Sequence, residues 1–130
     1  MKVVLDCNIL VSAARIDGTC REVIDRAVRR HEIVLSEPIL SEYRAVAGRH
    51  GQAPYRDAME FVIRELERLA VLVEPANILF GLRDPDDEVY LATATAAGVV
   101  LITGNTRDFT KARYGSVEVW SPRVFLDQTT

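Results

Sequence analysis

Short runs rich in Val, Ile and Leu alternate with longer amphipathic stretches along this chain. The runs at residues 3–5, 33–35 and 99–102 have the length and composition of β-strands that are buried on both faces, as strands are in parallel sheets. The predicted strands cover residues 3–5, 33–35, 71–73, 99–102 and 117–120. Because strands that alternate with helices indicate βαβ units, the pattern predicts an α/β fold, three-layer α/β/α with a mainly parallel central sheet.

The stretches between these runs have helical spacing and recognisable ends. The clearest covers residues 54–70, where apolar side chains recur every three or four positions and charged side chains occupy the opposite face. Polar caps, an early proline and a closing glycine define the other helices. The other predicted helices are one at residues 9–14, one capped by Thr19, one capped by Ser36, one that begins at Asp84 and ends at Gly98, and a short one that begins at Ser121.

Length and composition are those of an ordinary globular protein. The 130 residues suffice for one domain over residues 1–130, and 48% hydrophobic with 27% charged residues is near the average for folded chains. No apolar run approaches a membrane span and no signal-peptide layout opens the chain, so we expect a cytoplasmic protein without a membrane partner. The net charge of -3 argues against a protein that coats nucleic acid by bulk electrostatics, but it does not exclude a nuclease.

Several common kinds of functional site find no support in the sequence. Cys7 and Cys20 lack paired-thiol spacing, and His31 and His50 have no partner at metal-ligand spacing. The seven glycines are dispersed, so neither a phosphate-binding loop nor a dinucleotide fingerprint fits. A serine nucleophile with a histidine base is also disfavoured, because neither histidine follows a predicted strand.

Acidic residues follow the predicted strands or open the predicted helices. Asp6 directly follows the first strand, Asp108 follows the strand at 99–102, and Asp87 lies in the first turn of a helix. In an open parallel sheet these positions converge at the carboxyl ends of the strands, where ligands bind. Glu42 joins them from inside a helix. Crowded carboxylates are normally held by divalent cations, and without a thiolate or histidine set we expect Mg²⁺ or Mn²⁺.

A purely structural interpretation stays open for each of these acids. Asp6 could cap the helix that follows it, and Asp84 as a cap with Asp86 or Asp87 in the first turn would satisfy free amides and the helix dipole. Asp108 could be a turn residue, and Glu42 could be a solvated surface residue. A functional site is favoured by the joint position of these acids at one edge of the same sheet.

Four segments, taken in order, carry a family resemblance. They are Val-Leu-Asp-Cys-Asn-Ile-Leu-Val-Ser-Ala at 4–13, Ser-Glu-Pro-Ile-Leu-Ser-Glu-Tyr at 36–43, Asp-Pro-Asp-Asp-Glu-Val-Tyr-Leu-Ala-Thr-Ala at 84–94 and Leu-Ile-Thr-Gly-Asn-Thr-Arg-Asp-Phe at 101–109. Together they resemble a PIN domain, and they are similar in particular to the PIN-family toxins of bacterial and archaeal toxin–antitoxin systems, of the VapC-like kind. The resemblance extends from Lys2 to about Pro122.

The resemblance implies a metal-dependent ribonuclease whose products carry a 5′-phosphate and a 3′-hydroxyl. The catalytic and metal-binding acids of the family fall on Asp6, Glu42, Asp87 and Asp108. The polar supporting positions fall on Asn8 and Thr103. Many members carry an acid where this chain has Asn105, so the fourth ligand is Asp108, Asn105 through water, or neither.

The resemblance also implies partners. Arg107 is the nearest substrate-binding candidate by chain position and Arg44 a weaker one, with a surface ion pair as the alternative for both. A toxin needs a cognate antitoxin, and related toxins commonly form homodimers. We expect a homodimer that uses exposed apolar residues of the helix at 54–70.

Two other classes of function compete with the ribonuclease. One is a PIN-like RNA- or protein-binding module with weak or no catalysis, supported by Asn105 alone. The other is a phosphoryl-transfer domain, either receiver-like or haloacid-dehalogenase-like. The third predicted strand ends in Glu74-Pro75 rather than a phosphoacceptor aspartate, and Asp6-Cys7-Asn8 lacks the second aspartate of the dehalogenase motif. A similar fold alone does not support either the receiver-like or the dehalogenase-like function.

Overall fold

The computed structural model describes residues 1–130 except for the side chain of His50, so the expectation for that histidine lies outside the described residues. Within them, six strands form one sheet and six α-helices flank it. The strands are β1 Lys2–Leu5, β2 Glu32–Leu35, β3 Val71–Leu72, β4 Val100–Ile102, β5 Arg113–Tyr114 and β6 Val117–Trp120. The helices are α1 Cys7–Ala14, α2 Gly18–Arg30, α3 Glu37–Ala47, α4 Arg56–Leu69, α5 Glu88–Ala97 and α6 Pro122–Gln128.

The strand order β3-β2-β1-β4-β6-β5 places β1 near the middle of the sheet. Every neighbouring pair is parallel except β5 with β6, which confirms the predicted α/β class with a mainly parallel sheet. The chain runs outward from β1 through β2 to β3 and then returns to β4 on the other side of β1. The reversal of direction therefore lies between β1 and β4, and ligands bind at such switch points in open α/β sheets.

The core contains side chains from the sheet and from all six helices. Val3, Val4 and Leu5 of β1 are fully buried, as the apolar run predicts. Tyr43 of α3 and Tyr90 of α5 are also buried, with ring centroids 6.3 Å apart. No helix in the described part of the chain has the length and apolar character needed to cross a membrane.

Several element boundaries differ from the sequence prediction for identifiable reasons. The cap of α2 is Asp17 rather than Thr19, because the Asp17 carboxylate accepts a hydrogen bond from the Cys20 amide and the helix starts one residue before Thr19. Residues Pro85–Asp87 form one turn of 3₁₀-helix ahead of α5. The two-residue strand β5 was not predicted. Ser36 caps α3 as expected, and Gly98 ends α5 with a left-handed φ of 67°.

Candidate active site

Asp6 lies at the carboxyl end of β1, at the switch point of the sheet. Its backbone amide continues the pairing with β4 by donating to the Ile102 carbonyl at 3.0 Å. The Thr103 hydroxyl donates to Asp6 Oδ2 at 2.6 Å, and the side chain is buried. Burial raises the pKa of Asp6, against the opposing effect of the Thr103 hydrogen bond. Asp6 occupies the N-cap position of α1, but its side chain makes no capping hydrogen bond, so capping alone does not account for this carboxylate.

Asp87 lies next to two further carboxylates, those of Asp84 and Asp108. One oxygen from each of these three residues lies within 4.8 Å of the other two. The Asp87 residue is 8% exposed, and its Oδ2 has no hydrogen-bond partner among the described residues. Burial, then the nearby charge of Asp6 and contact with Asp108, raise the pKa of Asp87 to about 8. The surroundings of this carboxyl group therefore oppose its negative charge unless a cation is bound beside it.

Asp108 is held by Asn105 in the loop after β4. Asn105 Nδ2 donates to Asp108 Oδ2 at 2.9 Å, and the Asp108 amide donates back to Asn105 Oδ1 at 3.2 Å. The Asn105 amide in turn donates to the Thr103 hydroxyl oxygen at 2.9 Å. The hydrogen bond from Asn105 is the main cause that lowers the pKa of Asp108. Asn105 therefore orients an acid in this loop, and through Thr103 it is linked to Asp6.

Glu42 approaches the acids from the middle of α3. Its side chain is only 17% exposed, so it is not the solvated surface residue that its position in a helix would suggest. Burial and the charge of Asp86 raise its pKa, whereas Arg49, whose Nη2 lies 3.7 Å from Glu42 Oε1, lowers it. The next residue, Tyr43, donates its hydroxyl hydrogen bond to the Leu5 carbonyl and ties α3 to the end of β1. Glu42 lies near the acidic group but outside the 4.8 Å set.

The polar and basic residues expected around the acids are only partly brought together. Asn8 Oδ1 accepts a hydrogen bond from the Gly104 amide at 3.4 Å and joins α1 to the loop after β4. Arg107 is exposed, and its charge contributes to the low pKa of Asp108. Arg44 forms an ion pair with Glu67 at 2.8 Å, as the surface interpretation expects.

Two arginines that the sequence analysis did not single out lie closer to the acids. Arg83 Nε is 3.8 Å from Asp108 Oδ1, and Arg49 is paired with Glu42. Both arginine side chains are more than half exposed. Neither arginine follows a strand or belongs to the four segments that carry the family resemblance. The sequence could have indicated them only because Arg83 directly precedes Asp84 and Arg49 lies just after the end of α3.

The donor set fits a hard divalent cation. The carboxylate oxygens converge, and Asp87 Oδ2 is buried without a partner, although buried polar atoms are nearly always hydrogen-bonded. The adjacent thiol of Cys7 does not offer a soft ligand, because burial and the charge of Asp6 raise its pKa to about 12. Oxygen donors without thiolate or imidazole are the ligands that Mg²⁺ and Mn²⁺ prefer.

Comparisons with known proteins agree with this architecture. A family model described as PIN domain matches residues 2–107. A search of curated protein sequences gives no match. Among solved structures, a chain of DNA-bound VapBC from Salmonella typhimurium superposes with a TM-score of 0.68 at 20% identity, covering 94% of this chain and 98% of that chain.

Two further solved structures are similar. One is VapBC2 from Rickettsia felis bound to a DNA fragment from their promoter, with a TM-score of 0.66, 14% identity and coverage of 93% and 98%. The other is VapBC-1 from nontypeable Haemophilus influenzae, with a TM-score of 0.61, 16% identity and coverage of 95% and 99%. At these identities the likeness concerns the fold, and it confirms the three-layer α/β/α arrangement.

Proposed function

This chain belongs to the PIN-domain family, and we propose that it is a metal-dependent endoribonuclease, the toxin of a toxin–antitoxin pair. The observation that carries the proposal is the buried, unpartnered Oδ2 of Asp87 among converging carboxylates at the switch point of the sheet. The continuous core from Val3 to Leu126 supports one PIN-like domain over residues 1–130.

In this proposal the carboxylates of Asp6, Glu42, Asp87 and Asp108 hold Mg²⁺ or Mn²⁺. When bound, the cation activates a water molecule for attack on an RNA phosphodiester and offsets the charge that develops on the phosphoryl oxygens. Thr103 fixes the orientation of Asp6, and Asn105 fixes that of Asp108. Asn8 holds the loop after β4 in place by accepting a hydrogen bond from the Gly104 amide. Asp87 gives up its proton when it binds the cation.

Exposed arginines around the acids are the proposed contacts to RNA phosphates. Arg49 lies beside Glu42, and Arg83 lies beside Asp108. Arg107 directly precedes Asp108 in the loop after β4. The ion pairs of Arg49 and Arg83 are long, and both arginine side chains are more than half exposed, so little free energy opposes an exchange of carboxylate for phosphate. Arg44 is the poorer candidate because Glu67 engages it at 2.8 Å.

A cognate antitoxin and a second copy of the chain are the proposed protein partners. The antitoxin is supported by the solved neighbours, which are VapBC complexes. The homodimer is supported by α4, whose Phe61 and Leu69 are 59% and 44% exposed. A ribonuclease of this kind acts on RNA in the cytoplasm, where we expect the protein to be.

The decisive experiment is cleavage of a structured RNA pool by the purified full chain with Mg²⁺ or Mn²⁺, compared with EDTA. We expect metal-dependent cleavage that an Asp6→Asn, Asp87→Asn double variant loses. Asp57→Asn serves as the matched control, because it removes the same kind of charge from the exposed first turn of α4. End-group analysis should find a 5′-phosphate on the products.

The same experiment separates the nuclease from a binding module. Asn105, at a position where an acid is common in the family, favours the module. A folded protein that neither cleaves RNA nor binds Mn²⁺ would reject the nuclease and leave the module. RNA retention without cleavage, measured by filter binding, would then identify RNA as its ligand.

A further inference from the structure

Asp84 contributes a carboxylate to the candidate site although it is neither at the end of a strand nor among the acids that the family resemblance assigns. Its oxygen lies within 4.8 Å of oxygens from both Asp87 and Asp108. Two oxygens bound to one cation are separated by at most twice the metal–oxygen distance, which is about 2.1 to 2.5 Å for Mg²⁺ and Ca²⁺. The three carboxylates therefore stand close to the spacing that one cation would impose.

A second observation points to a ligand at the same place. Asp87 Oδ2 is buried and has no hydrogen-bond partner among the described residues, and its residue is 8% exposed. A buried carboxylate oxygen without a donor is unusual in a folded protein. A cation between the three acids would satisfy this oxygen.

The capping role of Asp84 leaves one of its oxygens available. Oδ1 accepts a hydrogen bond from the Asp86 amide at 2.9 Å, which fixes the side chain at the start of the 3₁₀ turn. Within the described residues, Oδ2 accepts no hydrogen bond. Because the cap occupies only Oδ1, Asp84 can act as a cap and as a cation ligand at the same time, and the cap holds the carboxylate in place.

We propose that Asp84 is a direct ligand of a divalent cation that it shares with Asp87 and Asp108. The inference rests on the proposed metal-dependent function and adds a residue to it. Asp6 and Glu42 lie outside this set of three.

The test measures Mn²⁺ binding by the full chain with isothermal titration calorimetry, and by electron paramagnetic resonance of the free ion. Asp84→Asn and Asp84→Ser both keep a side-chain acceptor for the Asp86 amide and remove the carboxylate. We expect each to weaken Mn²⁺ binding about ten-fold or more, a loss at least as large as that from altered supporting residues. Both should keep the wild-type unfolding transition in EDTA.

Asp86→Asn is the matched control, because it removes one charge from the same turn but not from the group of three. Unchanged Mn²⁺ affinity in both Asp84 variants would overturn the inference. Weakening of Mn²⁺ binding by Asp86→Asn to the same extent would also overturn it, because the loss would then come from the negative charge of the turn and not from a metal ligand.

RNA cleavage by the wild type is measured separately. If it persists while the Asp84 variants bind Mn²⁺ normally, only the role of Asp84 fails. A wild type that neither binds Mn²⁺ nor cleaves RNA overturns both proposals.

Discussion

At the scale of the residue, Asp87 makes the metal-free protein sensitive to pH. Its pKa is raised from 3.8 to about 8, so the folded state retains a proton that the unfolded state has lost between these values. Stability from this group is complete below pH 3.8 and declines as the pH rises to about 8. We therefore expect Asp87→Asn to stabilise the metal-free protein above about pH 8 by at least about 1 kcal/mol, since one unit of pKa displacement is about 1.4 kcal/mol.

Urea unfolding in EDTA at about pH 5 and pH 8.5 measures this difference. The advantage of the variant over wild type should be larger at the higher pH. The comparison between the two proteins cancels the effect of the other titrating groups. An advantage that is the same at both values would contradict the raised pKa.

A second prediction at this scale concerns Arg83, which faces Asp108. Arg83→Gln should weaken RNA binding and reduce the slope of log affinity against log salt concentration by about 0.7, as the loss of one phosphate contact on single-stranded nucleic acid would do. The measurement is RNA binding in Ca²⁺ at several salt concentrations. Arg29→Gln should leave the slope unchanged, because the 75% exposed Arg29 lies near the end of α2, before the amino end of β2. Equal slopes for wild type and Arg83→Gln would remove Arg83 from the RNA interface.

The sequence is informative about acids that follow strands and less so about those that open turns. Asp6 and Asp108 could be predicted to lie at the same edge of the sheet, because the carboxyl ends of parallel strands meet there. Asp84 could be predicted as a cap, which it is, but not as a neighbour of Asp108, because the turn geometry that brings them together is not encoded in spacing. The arginines beside the acids were missed for the same reason.

At the scale of the element, Ser36 holds the start of α3 and hence the helix that carries Glu42. Its hydroxyl accepts from the Ile39 amide and is 2.8 Å from the Thr93 hydroxyl of α5, in a buried position. Ser36→Ala should cost about 1 to 3 kcal/mol, because it removes a cap and leaves the Thr93 hydroxyl without its partner. Urea unfolding measures the loss.

Ser121→Ala provides the comparison for that prediction. Ser121 caps α6 through the Val124 amide at 3.1 Å, but it is exposed to water. Its replacement should therefore cost less than that of Ser36, since water can satisfy the freed amide. Equal costs would mean that the contact between Ser36 and Thr93 contributes nothing.

Element prediction succeeded where periodicity and caps agreed and failed where an element was too short to have a period. Ser36 with Pro38, and Gly98, set their helix ends as expected. Asp17 displaced Thr19 because two candidate cap residues lie only two positions apart, and the sequence does not say which one takes the extended conformation. The strand Arg113–Tyr114 exists only through its antiparallel pairing with β6, a tertiary interaction.

At the scale of the whole molecule, the exposed face of α4 predicts the oligomeric state. Static light scattering at micromolar concentration should give twice the 14.5 kDa mass of the chain. Phe61→Glu should yield a monomer, because it places a charge on a 59% exposed aromatic position of the proposed interface. Leu79→Glu is the control, since Leu79 is even more exposed but lies in the loop before α5. If Phe61→Glu remained a dimer and Leu79→Glu became a monomer, the interface would lie on the loop before α5 and not on α4.

The position of β1 in the sheet determines when during synthesis the acidic group can be completed. β1 leaves the ribosome well before its partner β4, because the hydrogen bond between Asp6 and Thr103 spans 97 residues. Contacts of such long range form late, after the intervening segments have been made. A nascent chain that ends before β4 has neither Thr103 to orient Asp6 nor Asp108 to complete the acidic group. A nuclease of the proposed kind would therefore have a complete acidic group only after β4 and the loop that follows it have emerged from the ribosome.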